Sequence, residues 1–209
     1  MDYIVDTVVV TSFQQNCRVL WNEKNTAECI VIDPGGEFEK IQSFLKQISP
    51  SKIHILLTHS HIDHCGAVAD LKDNYACTLY GHSNEKEFRE KVLELAALYG
   101  LLGEGFKNCP EPDIYLKGDE ELEIIGIKIK VLFTPGHSPG HLAFYLPDEG
   151  ALFGGDTVFK GSIGRTDLPG GNGPLLLQSI SEKILTLPQE TVILPGHGPD
   201  TTVKEEIRT

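Results

Sequence analysis

Thr58-His59-Ser60-His61-Ile62-Asp63-His64-Cys65-Gly66 places His59, His61, Asp63 and His64, four metal-capable side chains, within six consecutive positions. The stretch follows Ile53-His54-Ile55-Leu56-Leu57, a mostly apolar run with the character of a buried strand. In extended backbone, residues two apart point the same way, so His59 and His61 can reach one ion together. Asp63 and His64 come where the chain turns towards a helix near Gly66, and they therefore face a second point. A single histidine there would read as an ordinary loop residue. Three histidines and a carboxylate at the end of a strand read as a metal site.

Further along, three more loops carry the same residue types, each after a strand-like run. Thr134-Pro135-Gly136-His137 follows Ile127–Phe133, Gly155-Asp156-Thr157 follows Ala151-Leu152-Phe153, and Pro195-Gly196-His197-Gly198 follows Val192-Ile193-Leu194. The H-x-H-x-D-H pattern together with these loops, in this order, resembles the metallo-β-lactamase superfamily. The resemblance implies an α/β fold, a four-layer αβ/βα sandwich of two mixed β-sheets flanked by helices, formed by residues 1–209 as one domain. It implies that His59, His61 and His137 bind one metal, that Asp63, His64 and His197 bind a second, and that Asp156 bridges them. Imidazole and carboxylate donors suit zinc, iron or manganese, and a set without cysteine is unlike a closed structural zinc site. The expected cofactor is a pair of divalent ions, zinc first, with iron or manganese as alternatives. Such a pair supplies a metal-bound hydroxide near neutral pH and attracts a carbonyl oxygen. Asp63 is then the candidate catalytic residue, because its free oxygen can orient that hydroxide and take its proton. His141, four residues beyond His137, is expected behind the ligands rather than among them.

Composition narrows the partners. The 209 residues are 40% hydrophobic and 23% charged, with a net charge of −12, the profile of a soluble globular chain. That acidity disfavours a nucleic-acid partner, which is held by clustered Lys and Arg. No apolar run has the length of a membrane span, and Met1-Asp2-Tyr3-Ile4 lacks the basic start of a secretory signal. Cys17, Cys29, Cys65, Cys77 and Cys109 are odd in number and show no paired spacing, so free thiols and a cytoplasmic location are expected. Oligomeric state is left open by the sequence.

Periodicity predicts strands at Tyr3–Val10, Cys17–Trp21, Glu28–Ile32, Thr78–Tyr80, Glu121–Ile125 and Lys128–Phe133, with two more at Leu142–Leu146 and Thr191–Leu194. It predicts helices over Glu37–Ile48, Ala67–Lys72, Ser83–Tyr99 (Ser83 capping, Glu85 and Glu87 in the first turn), Leu175–Leu185 and Val203–Arg208. The polar segment Phe13–Asn16 reads as a connector that can border the site, and Gly100–Asp113 as a loop flanking it. Asp33 is a candidate hydrogen-bond acceptor behind the metal loop. His54 reads as a sheet residue and His82 as a capping or surface residue.

Three segments, T-H-S-H-I-D-H-C-G, T-P-G-H-S-P-G-H and Gly155–Gly171, are most similar to the glyoxalase II-like branch, especially its short bacterial members. That likeness implies hydrolysis of a small-molecule thioester such as S-D-lactoylglutathione. Lys160 and Arg165, on a Gly-rich loop matching one that contacts glutathione, are the implied substrate-binding residues. Two features depart from that branch. Gly196-His197-Gly198-Pro199 stands where it has G-H-E-Y, and its basic C-terminal extension does not follow His197. The alternatives are a persulfide dioxygenase with one iron, which shares a G-R-T-D stretch like Gly164–Asp167, and a nuclease of the same fold.

Overall fold

The computed structural model describes residues 3–208, and in it the apolar runs become two six-stranded sheets. The first takes its strands in chain order: β1 (Tyr3–Val10), β2 (Gln15–Asn22), β3 (Asn25–Ile32), β4 (Lys52–Leu56), β5 (Cys77–His82) and β6 (Ile114–Leu116). β1 to β3 form an antiparallel meander, and β3 to β6 run parallel. Parallel neighbours need crossovers. These are α1 (Phe38–Ile48), then α2 (Ile62–Cys65) with α3 (Val68–Asn74), then α4 (Lys86–Glu90) with α5 (Val92–Leu98). The second half supplies β7 (Glu121–Ile124), β8 (Ile127–Phe133), β9 (Leu142–Leu146) and β10 (Ala151–Gly155), followed by a small hairpin, β11 (Val158–Phe159) and β12 (Ser162–Ile163). After α6 (Gly173–Ser179), β13 (Val192–Pro195) pairs parallel to β10, β14 (Thr201–Thr202) closes the edge, and α7 (Val203–Glu206) follows. Both sheets are mixed.

Three apolar clusters separate four layers. Along β3, Cys29 and Val31 point one way and Ile30 and Ile32 the other, as strand geometry requires. The first pair joins Ile41 and Leu45 of α1 and Val68 and Leu71 of α3. The second pair meets Ile129, Val131, Phe144 and Phe153 of the other sheet. On that sheet's far side Ala143, Leu152 and Ile193 pack with Leu176, Ile180 and Ile184. The sandwich is therefore helix, sheet, sheet, helix. Phe144 lies fully buried between the sheets, where truncation to Ala costs about 3–5 kcal/mol. Among the described residues no helix is long and apolar enough to cross a membrane.

Strand direction gathers the site. β8 and β10 are both antiparallel to β9, and β13 is parallel to β10. The three therefore point the same way, and their C-terminal loops, bearing His137, Asp156 and His197, leave one edge. The loop after β4 joins them there: Leu142 N–H donates to Thr58 O across the sheets at 2.7 Å.

Three expectations need correction. Ser83–Tyr99 is not one helix, because the chain at Asn108-Cys109 inserts into its ladder. Leu93 N–H donates to Asn108 Oδ1 (2.8 Å), while Arg89 O accepts from Cys109 N–H (3.0 Å). The cap is His82, whose Nδ1 accepts from Asn84 N–H, rather than Ser83. Leu175–Leu185 is α6 followed by a wider turn of helix at Ile180–Ile184. β6 escaped the periodic reading because Ile114 and Tyr115 are exposed.

Candidate metal centre

Hydrogen bonds on the outer side of the His59, His64, His137 and His197 rings orient them, while His61 Nε2 is buried and has no hydrogen-bond partner among the described residues. Thr58 Oγ1–H donates to Asp33 Oδ2 (2.6 Å), so the same oxygen accepts from His59 Nδ1–H (3.0 Å). His64 Nδ1–H donates to Asp33 Oδ2 (3.0 Å), His137 Nδ1–H to Arg165 O (2.7 Å), and His197 Nδ1–H to Phe13 O (3.1 Å). A neutral ring committed this way turns an unprotonated Nε2 to the other side. Those inner nitrogens converge. His61 Nδ1 lies 3.1 Å from His59 Nε2 and 2.9 Å from His137 Nε2, and His64 Nε2 lies 3.3 Å from His197 Nε2. Two lone pairs brought this close repel unless a proton or a metal cation lies between them.

The carboxylates fit the same demand. Asp63 Oδ2 is 3.2 Å from His197 Nε2 and 3.8 Å from His64 Nε2. Asp156 Oδ1 is 3.5 Å from His64 Nε2, and its Oδ2 is 3.6 Å from His137 Nε2 and 3.5 Å from His197 Nε2. It stands between the two groups of histidines. Asp156 Oδ1 is buried and accepts no hydrogen bond among the described residues, a costly state for an anionic oxygen unless a cation meets it. Gly196 permits the approach, since a Cβ there would fall 2.2 Å from Asp156 Oδ1.

Charge within the site follows from burial and neighbours. Burial, with the neighbouring rings, holds His59 well below the ordinary histidine range and brings His61 down to about 3. Burial likewise lowers His137, against the pull of Asp156. Burial alone would raise Asp63 and Asp156, but His64 and the other rings hold both below the usual carboxylate range. His64 is drawn well above its ordinary value against its own burial, chiefly by Asp156 and Asp63. The carboxylates thus call for positive charge at the centre.

Two sets of donor atoms can each hold a divalent ion: His59 with His61 and His137, and Asp63 with His64 and His197. Asp33 also lies within reach of His59 and His64. Its oxygens already accept Thr58 N–H (2.8 Å), the Thr58 hydroxyl and His64 Nδ1–H. It is a hydrogen-bond acceptor behind the metal-capable loop, as the sequence reading expected. His141 takes a comparable place. Its Nε2 accepts Asp156 N–H (3.1 Å), which leaves the proton on Nδ1, facing Thr134 Oγ1 at 2.9 Å. Its ring stacks on His59, 5.0 Å between centroids.

The other singled-out residues divide. Arg165 lines the cleft above the centre, but its guanidinium is paired with both oxygens of Asp167 at 2.7 Å. Lys160 is exposed on the β11–β12 turn and lies outside the cleft lining. His54 bonds Glu28 (2.8 Å) on the first sheet, and His82 stacks on Phe133. The Phe13–Asn16 segment does border the site. Besides Phe13 O, Asn16 Nδ2 donates to Pro195 O (3.1 Å) and Gly198 O (2.9 Å), which fixes the His197 loop.

Glu85 was missed. Read only as a first-turn acid, it is buried, and its carboxylate accepts Ser60 N–H (2.9 Å) and Gly140 N–H (2.6 Å). It thereby ties the loop of His59 and His61 to that of His137. Nothing local marks it, because its partners are 25 and 55 residues away.

Above the centre opens a cleft of about 870 Å³, with His61 and Asp63 on its floor and α4 and α5 along one wall.

Known proteins resemble this chain in sequence and fold. The metallo-beta-lactamase superfamily model matches residues 10–197. The probable metallo-hydrolase YqgX of Bacillus subtilis (strain 168) is 44% identical over 86% of this chain and 84% of its own length. Hydroxyacylglutathione hydrolase GloC of Haemophilus influenzae (strain ATCC 51907 / DSM 11121 / KW20 / Rd) is 37% identical over 98% of this chain and 95% of its own. Among solved structures, the BLEG-1 B3 metallo-beta-lactamase superposes with a TM-score of 0.88 at 38% identity, covering 99% of this chain and 97% of that one. TTHA1623 in a di-iron-bound form gives 0.86 at 37% identity, with 98% of each chain covered. This chain belongs to the metallo-β-lactamase superfamily and carries paired His and Asp clusters able to bind metal.

Proposed function

We propose that the protein is a metal-dependent thioester hydrolase of the glyoxalase II type, with S-D-lactoylglutathione as the first substrate to try. The observation that carries this is the convergence of inward-facing histidine nitrogens and two buried carboxylates at the floor of an open cleft. On this reading His59, His61 and His137 hold one ion, Asp63, His64 and His197 hold the other, and Asp156 serves both. When bound, such ions acidify water at neutral pH and polarise a carbonyl. Zinc is the first candidate for this donor set, and the di-iron form of TTHA1623 makes iron the second.

The chain's own residues do the rest. Asp63 is ionised and lies on the cleft floor, where its carboxylate orients the attacking water and accepts its proton. Thr58, Asp33, Arg165 O and Phe13 O lock the rings, so little reorganisation is needed as charge develops. In the overall reaction a C–O bond forms and the C–S bond breaks. The bonding pair leaves on sulfur, which takes up a proton to give the thiol. The likeness to GloC supports a glutathione thioester, with Arg165 on the cleft lining as the candidate contact and Lys160 outside that lining.

The likeness to BLEG-1 favours β-lactam hydrolysis as a second reading. Assay of the metal-quantified protein on a thioester panel and a chromogenic β-lactam separates them. Turnover of thioesters at least 10²-fold above that of the β-lactam is expected. A β-lactam preference, or activity unaffected by chelator, overturns the proposal.

A further inference from the structure

Resting on the thioester reading, we propose that the cleft selects acyl thioesters whose acyl group is apolar, a straight aliphatic chain lying along α4 and α5. Its wall begins at the reactive floor, where the Phe88 ring stands edge-on to His61, 5.2 Å between centroids. From there Leu95, Tyr99 and Leu101 continue the surface, with Phe13 and Leu168 also on the lining. Phe13 is 39% and Tyr99 50% exposed, so nothing among the described residues covers these side chains fully. An open apolar groove running into a polar centre is the mark of a ligand site, and about 870 Å³ lies in the range of such sites.

The charges on the lining point the same way. Its cations among the described residues are Lys91 and Arg165. Lys91 Nζ is paired with Glu87 at 2.5 Å, and Arg165 is held by Asp167 through two bonds. Glu94 adds a further carboxylate. An acyl group bearing a carboxylate must displace these partners within a protein of net charge −12. An aliphatic chain asks for none of that, and gains by leaving water. Burying one methylene corresponds to a factor of about four, the upper bound for each carbon added.

The test uses the zinc-loaded enzyme with acetyl, butanoyl, hexanoyl and octanoyl thioesters of one neutral thiol, N-acetylcysteamine, and with lactoyl- and hexanoyl-glutathione. kcat/KM is expected to rise at least tenfold from acetyl to hexanoyl on the neutral thiol, and hexanoyl- to exceed lactoyl-glutathione. In Phe88→Ser and Tyr99→Ser the hexanoyl-to-acetyl ratio should fall at least threefold. That ratio is internal to each variant and independent of its metal content. Calorimetry with ketone analogues, in which a methylene replaces the thioester sulfur, reads the cleft without turnover. The hexanoyl analogue should bind at least tenfold tighter than the acetyl one, and Tyr99→Ser should erode that preference. A flat acyl series with good turnover, or rates that follow the thiol instead, overturns the inference and leaves the thioester reading standing. If no thioester is hydrolysed, the function proposed above is what fails. The ketones then decide the cleft: a tenfold chain-length preference lost in Tyr99→Ser supports it, and equal binding overturns it.

Discussion

The floor of the cleft and its wall are built on opposite plans. On the floor, His59, His64 and His137 are buried, and each outer ring nitrogen is tied to a named acceptor. On the wall, large apolar side chains stand partly open, and the cations are matched by local carboxylates. A floor of this kind resists change, because moving one ring strands a buried donor at a cost of about 1–3 kcal/mol. The wall has few such ties, so its residues can vary with little penalty. On the function proposed above, reaction class belongs to the floor and substrate choice to the wall. Changes to the floor should appear in metal content and kcat, and changes to the wall in KM.

The sharpest break in that division is Asp156→Ala. Because Asp156 approaches histidines of both triplets, its loss should abolish tight binding of both ions and reduce activity to background. His197→Ala should mainly weaken one ion. Metal analysis after dialysis checks this, and retention of two ions by the Asp156 variant would remove its shared role.

Asp63→Asn comes next. It keeps the size and one ligand oxygen but loses the charge and the proton acceptor. kcat is expected to fall by about 10²-fold or more. Wild-type kcat at full metal content would take Asp63 out of the chemistry.

Asp33→Asn probes the layer behind the ligands. Asp33 orients His64 directly and His59 through Thr58, so both triplets should lose about 10–100-fold in metal affinity. Competition with a chelator of known affinity reads this. A change confined to one ion would show that the Thr58 link carries nothing.

The smallest effect belongs to the wall. Arg165→Ala removes an exposed guanidinium already paired with Asp167. KM for S-lactoylglutathione should rise no more than about fivefold, the worth of an exposed ion pair, with kcat unchanged. A large KM effect that disappears at high salt would show that Arg165 leaves Asp167 to hold substrate.

What the sequence determined by itself was the set of ligand-type residues and the strand ends that carry them. Those signals are local. H-x-H-x-D-H fixes its geometry within one loop, and His137, Asp156 and His197 each sit directly after an apolar run long enough to be a buried strand. Asp33 was also legible, as a hydrogen-bond acceptor beside the metal-capable loop. What only the tertiary structure decided depends on distant partners. The tautomer of His137 is set by Arg165 O and that of His197 by Phe13 O, 184 residues away. Glu85 lies inside because loops 25 and 55 residues distant present their amides to it. The break in the Ser83–Tyr99 helix comes from Asn108 and Cys109 entering its ladder. The cleft wall is of the same kind, since Phe88, Tyr99, Phe13 and Leu168 become neighbours only when both sheets are packed. Side-chain periodicity reports which face of an element is buried, but it carries no record of which distant donor or ring will meet that face.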